Sequence, residues 1–156
     1  MKTKSKSGTL YKEDILQSVL ELTAVQAEIL SFILSGKTSD AIDLKAFYPV
    51  TAADISLLRD MEPQLAFETL QKESSSLFDQ FVMIRGGIEA ESDEDMEFYR
   101  WLGQLRYYED DKAVGYLFSD MVKLYLPDIL KSLQIREKKS SPIQRELGLF
   151  GDESGN

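Results

Sequence analysis

The sequence predicts an α+β fold, a single winged helix-turn-helix domain with an enlarged antiparallel wing hairpin. Three observations predict it: two capping patterns each precede an apolar run, Glu62-Pro63 sets one helix directly behind another, and from Phe81 the period changes from helix to strand. A chain of 156 residues is one domain's worth. A domain of that size buries roughly 70% of the surface its unfolded chain exposes, enough to hold a core without disulfides or metal.

Taken in order, Met1 to Gly8 is basic and small, with Lys2, Lys4 and Lys6, and residues 1–9 are expected as a flexible arm. Tyr11 to Leu22 fits either a separate helix or an extended lead-in, since periodicity does not decide between them. Thr23 and Gln26 form a capping box ahead of Val25, Ile29, Leu30, Phe32, Ile33 and Leu34, and Gly36 is placed to end that helix. Leu44, Phe47 and Val50 flank Pro49 in a short extended segment. Thr51 with Asp54 then caps a short helix holding Ile55, Leu57, Leu58 and Met61. Pro63 suits the first turn of the next helix, which carries Leu65, Phe67, Leu70, Leu77 and Phe78. Two helices joined so tightly are a helix-turn-helix candidate, with an ordinary helical hairpin as the alternative.

Phe81 to Arg85 reads as a strand ending at Gly86-Gly87. Beyond an acidic block, Glu89 to Glu97, the stretch Glu97 to Tyr108 alternates Tyr99, Trp101, Gly103, Leu105 and Tyr107 with Phe98, Arg100, Leu102, Gln104, Arg106 and Tyr108, and reads as one strand. Glu109 to Lys112 is a turn and Ala113 to Phe118 the returning strand. Ser119 caps a last helix with a kink expected at Pro127. The folded unit is therefore placed at residues 10–135, and residues 136–156 are expected as a flexible tail.

Composition narrows the chemistry. Without Cys or His there is no usual structural zinc, no thiolate nucleophile and no imidazole base. The acidic block pairs carboxylates without apolar walls to raise a pKa, and Gly86-Gly87 lacks the rest of a phosphate loop. No enzyme and no cofactor are expected. The acidic block lacks the order of a calcium loop and is read as a solvated wing loop, without metal. No apolar run has the length of a signal peptide or membrane span, so a cytoplasmic protein is expected. A formal charge of -9 opposes nonspecific wrapping of nucleic acid but leaves room for a local basic face.

Three stretches, in this order, resemble the N-terminal winged-helix domain of the plasmid replication initiator (Rep) family. They are "LTAVQAEILSFILS", "YPVTAADISLLRDMEPQLAFETLQKESSSLFDQFVMI" and "EFYRWLGQLRYYEDDKAVGYLFSDMVKLYLPDIL". The last includes the Phe-Ser step and Tyr-Leu pair, here Phe118, Ser119, Tyr125 and Leu126. The resemblance implies the first of two tandem winged helices, one that forms dimers and touches phosphates, while the second domain does much of the sequence reading. A homodimer is therefore expected. The helix matching the reading helix, Pro63 to Asp79, offers Lys72 against Glu68, Glu73 and Asp79, a balance unfavourable to DNA. Arg59, Lys72, Arg85, Arg100 and Arg106 are the phosphate candidates, together with the amino-terminal arm. Tyr99, Trp101, Tyr107 and Tyr108 beside Arg100 and Arg106 fit either nucleobase stacking or core and dimer packing.

In the tail, Glu146, Leu147, Gly148, Leu149 and Phe150 resemble the pentapeptide, usually Gln-Leu-Ser/Asp-Leu-Phe, that docks bacterial polymerases and some initiators on the replicative sliding clamp. Glu146 stands where that pattern has Gln. An apolar cluster folding back on the domain is the alternative. Three functions follow: an initiator-type replication protein contacting DNA or the replisome, an acidic interaction module docking the sliding clamp, and a transcriptional repressor.

Overall fold

The structure, a computed structural model, describes residues 6–140. Its elements are α1 Leu10–Leu20, α2 Ala24–Leu34, a 3-10 turn Ser39–Ala41, β1 Tyr48–Thr51, α3 Ala52–Arg59, α4 Pro63–Phe78, β2 Phe81–Arg85, β3 Met96–Arg100, β4 Leu102–Tyr108, β5 Ala113–Phe118, α5 Asp120–Leu124 and α6 Leu126–Ser140. The Tyr11 to Leu22 stretch resolves as a helix, with Ile15 and Val19 fully buried.

Both capping boxes form. The Thr23 hydroxyl accepts from the Gln26 N–H at 3.1 Å while the Gln26 amide oxygen accepts from the Thr23 N–H at 3.0 Å. Thr51 and Asp54 exchange the same bonds at 3.0 and 2.9 Å. Each box satisfies two donors that a helix start leaves unpaired. Gly36, at φ +79°, follows α2 in the left-handed conformation that few other residues tolerate. Between α3 and α4 the chain reverses at Asp60, also left-handed, and Pro63 opens α4. α3 and α4 pack on each other as a helix-turn-helix.

Two antiparallel sheets frame this pair. One has the order β1-β5-β4, with Tyr48 opposite Tyr116 and Arg106 opposite Gly115; the other is the ribbon β2-β3, with Met83 opposite Phe98. β4 and β5 are the wing. The winged helix is as expected, but its strand count differs: residues 97–108 are two strands rather than one. Trp101 and Leu102 are neighbours and both buried, at the point where β3 gives way to β4. The chain turns a corner there and its register shifts between Leu102 and Gln104, at Gly103. β2 pairs with β3 and stands apart from the wing.

One apolar cluster joins all layers and includes Ile29, Leu30, Ile55, Leu70, Trp101, Tyr116 and Tyr125. The Tyr116 hydroxyl, deep in this cluster, is hydrogen-bonded to Ser74 of α4, which removes the penalty of an unpaired buried polar group. The expected kink at Pro127 is a break two residues earlier, at Tyr125, and Pro127 lies in the first turn of α6 where its missing N–H costs nothing. α6 runs to Ser140, past the Ile135 boundary. Arg136 holds it there by donating to the Leu20 and Val19 carbonyls at the end of α1, at 2.9 and 3.4 Å; the Val19 carbonyl also accepts from the Leu22 N–H. Among the described residues no single helix is long and apolar enough to cross a membrane.

Candidate functional site

Of the five phosphate candidates, two are tied to carboxylates. Arg59 at the end of α3 pairs with Glu28 of α2 at 2.8 Å. Arg85 at the end of β2 grips Asp14 of α1 with two side-chain bonds, at 2.8 and 3.0 Å, and its backbone N–H adds a third at 2.9 Å. Those bonds and the Asp14 charge raise the Arg85 guanidinium above its ordinary value. Asp14 is a buried carboxylate, 9% exposed, and Arg85 is its counter-ion. Arg85 thus serves the fold.

Two more lie on aromatic rings. Arg100 sits 4.8 Å from the Phe81 ring centre and 5.6 Å from that of Phe78, and Arg106 sits 4.2 Å from that of Phe47. Stacking leaves the guanidinium edge able to donate to an anion. Both residues are exposed. Lys112, which the sequence did not single out, takes the same posture over Phe67 at 5.1 Å, at the wing tip. Lys72 is exposed on α4, one turn after Glu68, which accepts from Gln64. Leu57 of α3, 85% exposed, and Leu65 of α4 also lie open on the outer surface of the helix-turn-helix.

The described part of the amino-terminal arm is committed as well. Lys6 donates to the Gly87 and Ile88 carbonyls at 2.8 and 3.0 Å, and the Ser7 N–H reaches both Asp93 oxygens. The arm therefore straps the acidic block, which forms the β2-β3 connection. Gly86, at φ +59°, is needed there because a Cβ would run into the Asp93 backbone. Beneath it the Tyr125 hydroxyl accepts from the Ile88 N–H at 2.9 Å. Tyr99 lies in the same layer; burial, with the Glu97 charge second, pushes its phenol up to about 12. Trp101 belongs to the core, while Tyr107 reaches α4, its hydroxyl donating to the Gln71 carbonyl at 3.3 Å.

Sequence reading found the cations and missed their partners. Asp14 and Glu28 are 71 and 31 residues from the arginines they hold, and only the fold brings them together. One signal was available for the ribbon: Phe81, Met83 and Arg85 alternate with the buried Val82 and Ile84. Across the register stand Arg100, Phe98 and Met96. This outer face is apolar at its centre, with Phe81 and Phe98 63% and 64% exposed, and carries Arg100 at one corner and the Asp14-paired Arg85 at another. The pentapeptide Glu146 to Phe150 lies outside the described residues.

Helix-turn-helix, β1-β5-β4 sheet and β4-β5 hairpin together define a winged-helix domain, here with a ribbon inserted between the second helix and the wing. The fold is shared with the WH1 domain of a replication protein isolated from a multiple sclerosis patient, at a TM-score of 0.63 and 17% identity over 80% of this chain and 95% of that one. It is also similar to the Pi initiator protein solved in complex with iteron DNA, at a TM-score of 0.54 and 17% identity over 78% of this chain. The chain spans about half the length of that Pi protein, 48%. No family model and no curated protein matches the chain. The fold implied by the initiator-like stretches is thus the fold found.

Proposed function

We propose that this chain is a replication-associated winged-helix protein of the plasmid or phage initiator type, a binding module rather than an enzyme, that pairs with a second copy through the outer face of β2-β3. The observation that carries this reading is the WH1 fold combined with an open apolar ribbon face. Large exposed apolar patches rimmed by charge are characteristic of protein contacts. Where the module touches DNA, the geometry favours the wing: Arg106 and Lys112 are exposed and stacked, whereas α4 presents Glu68 beside Lys72. Contact of this kind is backbone contact and follows salt.

Sedimentation at high concentration tests the pairing, with a dimer expected and Phe81→Ser with Phe98→Ser giving a monomer. A monomeric wild type ends the self-association reading. For DNA, a random duplex at low salt should bind weakly, and Arg106→Ala should reduce the salt slope by about 1. No duplex binding at low salt ends the DNA half.

The pairing of Arg59 and Arg85 with carboxylates, and the acidic outer face of α4, favour a second reading. In it the domain docks the bacterial sliding clamp through Leu147, Leu149 and Phe150, each contributing about 1.5–3 kcal/mol on burial. Leu149→Ala with Phe150→Ala should then abolish clamp capture, and equal capture by wild type and double variant rejects it. The repressor reading meets the same charge balance on α4 and gains nothing from the structure.

A further inference from the structure

A surface groove of about 520 Å³ opens where α2, the end of α3 and the last turns of α6 meet. Ala27, Phe32, Leu58 and Leu133 supply its apolar lining, and Glu28, Arg136 and Glu137 its polar edge. Phe32 and Leu58 are 47% and 43% exposed, so the domain itself does not finish burying this surface. Glu28 gives one carboxylate oxygen to Arg59 and keeps the other without a hydrogen-bond partner among the described residues.

We infer that this groove is the docking site of the chain's own segment Leu147 to Phe150, held in cis. The wall formed by Leu133, Arg136 and Glu137 belongs to the helix whose chain runs on into that segment. Six residues lie between Ser140 and Leu147; extended, those seven Cα–Cα steps span about 23–25 Å. Seven residues of helix back to Leu133 rise only about 10 Å. The tether therefore reaches the groove with slack. Ser141-Pro142 follows α6 directly in the sequence. Two leucines and a phenylalanine match an apolar lining. Arg145, two residues before Leu147, is opposite in charge to Glu137 at the groove's edge.

Tethering supplies what so short a segment lacks. A linker of this length gives an effective concentration on the order of millimolar, so a contact of about 0.1 mM in trans is closed about nine-tenths of the time. Any external partner for the same residues then sees its affinity lowered about tenfold, because only the released fraction competes. The groove would act as a holding site that keeps the segment covered until such a partner displaces it.

The chain has no cysteine, so Glu153→Cys provides a single thiol for a spin label in the full-length protein. Paramagnetic broadening is expected to concentrate on the amides of Ser31, Phe32, Ser35 and Leu58. Leu149→Ala with Phe150→Ala should relieve it, and so should Phe32→Glu, an exposed substitution that leaves the segment intact. Broadening that is absent, evenly spread or indifferent to both variants overturns the inference. Transfer of the broadening to isotope-labelled chains mixed with spin-labelled ones reports capture by a second copy, and overturns it too. If the sliding clamp takes this segment, Phe32→Glu should raise clamp affinity about tenfold. Groove-centred broadening without any clamp binding supports the cis site and rejects only the clamp reading.

Discussion

β5 buries five of its six residues, whereas β3, an equally aromatic strand, buries none of its five completely. The two ribbons they belong to, β4-β5 and β2-β3, each carry a stacked arginine, Arg106 on Phe47 and Arg100 on Phe78 and Phe81. Their surroundings differ. β5 is central in its sheet, flanked by β1 and β4 and sealed by α4 through the Tyr116–Ser74 bond. β2-β3 is a two-stranded sheet with its inner face on α1, and among the described residues no element covers Phe81 and Phe98 on its outer face. Aromatic and arginine content therefore does not by itself identify a nucleic-acid surface. What matters is which arginines are free and which rings are still uncovered.

Trp101 occupies the corner where β3 becomes β4 and is buried at 1% exposure. Trp101→Ala should destabilise the domain by about 3–5 kcal/mol, read by chemical denaturation. A loss below about 1 kcal/mol would mean that the two ribbons are not joined through this side chain. Arg85→Ala attacks the ribbon's anchor to α1 and should lower the thermal midpoint by less, because Asp14 keeps the Arg85 backbone N–H but loses its counter-ion. The same variant should leave duplex affinity unchanged. Changed affinity at constant stability would restore Arg85 to the phosphate candidates.

Local signals carried much of the fold. Both capping boxes and the Pro63 start are interactions within a few residues, and each was legible because its partners sit at fixed spacing. The division of residues 97–108 was not. Alternation continues through Trp101 in the sequence, and only the choice of partner, β2 for one half and β5 for the other, separates the strands. The cations were legible as cations; their neutralisation by Asp14 and Glu28 depends on contacts far apart in sequence. Arg136, Lys138 and Lys139 look like tail in the sequence, yet Arg136 donates to the end of α1 and basic residues suit the last turn of a helix, so α6 runs on to Ser140.

Thr51→Ala removes the cap at the start of α3 and should cost about 1 kcal/mol, measured by thermal or urea unfolding. A neutral result would show that water replaces the Thr51 hydroxyl without penalty. The inner layer of the β2-β3 ribbon has its own signature in pH. Burial, the larger cause, and the Glu97 charge raise the Tyr99 phenol from 10.0 to about 12, and burial raises Tyr125 as well. The folded chain then holds protons that the unfolded chain releases, so this stabilisation is complete below pH 10 and is lost as pH rises toward about 12. Tyr99→Phe should flatten that alkaline fall; an unchanged slope would exclude Tyr99 as its source.

The smallest expected effects separate the two stacked arginines. Arg100 faces two rings and Arg106 one, and exposed cation–π contacts contribute about 0.5–1 kcal/mol each. Arg100→Ala should therefore cost slightly more stability than Arg106→Ala, and double-mutant cycles against Phe81→Ala and Phe47→Ala resolve the pair energies. Function should rank them the other way. Arg106 lies on the wing, where backbone contact with a duplex is proposed, and Arg100 lies on the face proposed for a second copy. Arg106→Ala should change the salt slope of duplex binding and leave the dimer intact, while Arg100→Ala should weaken the dimer and leave the slope unchanged. If both variants change both properties, the ribbons form one continuous interface and the distinction between them fails.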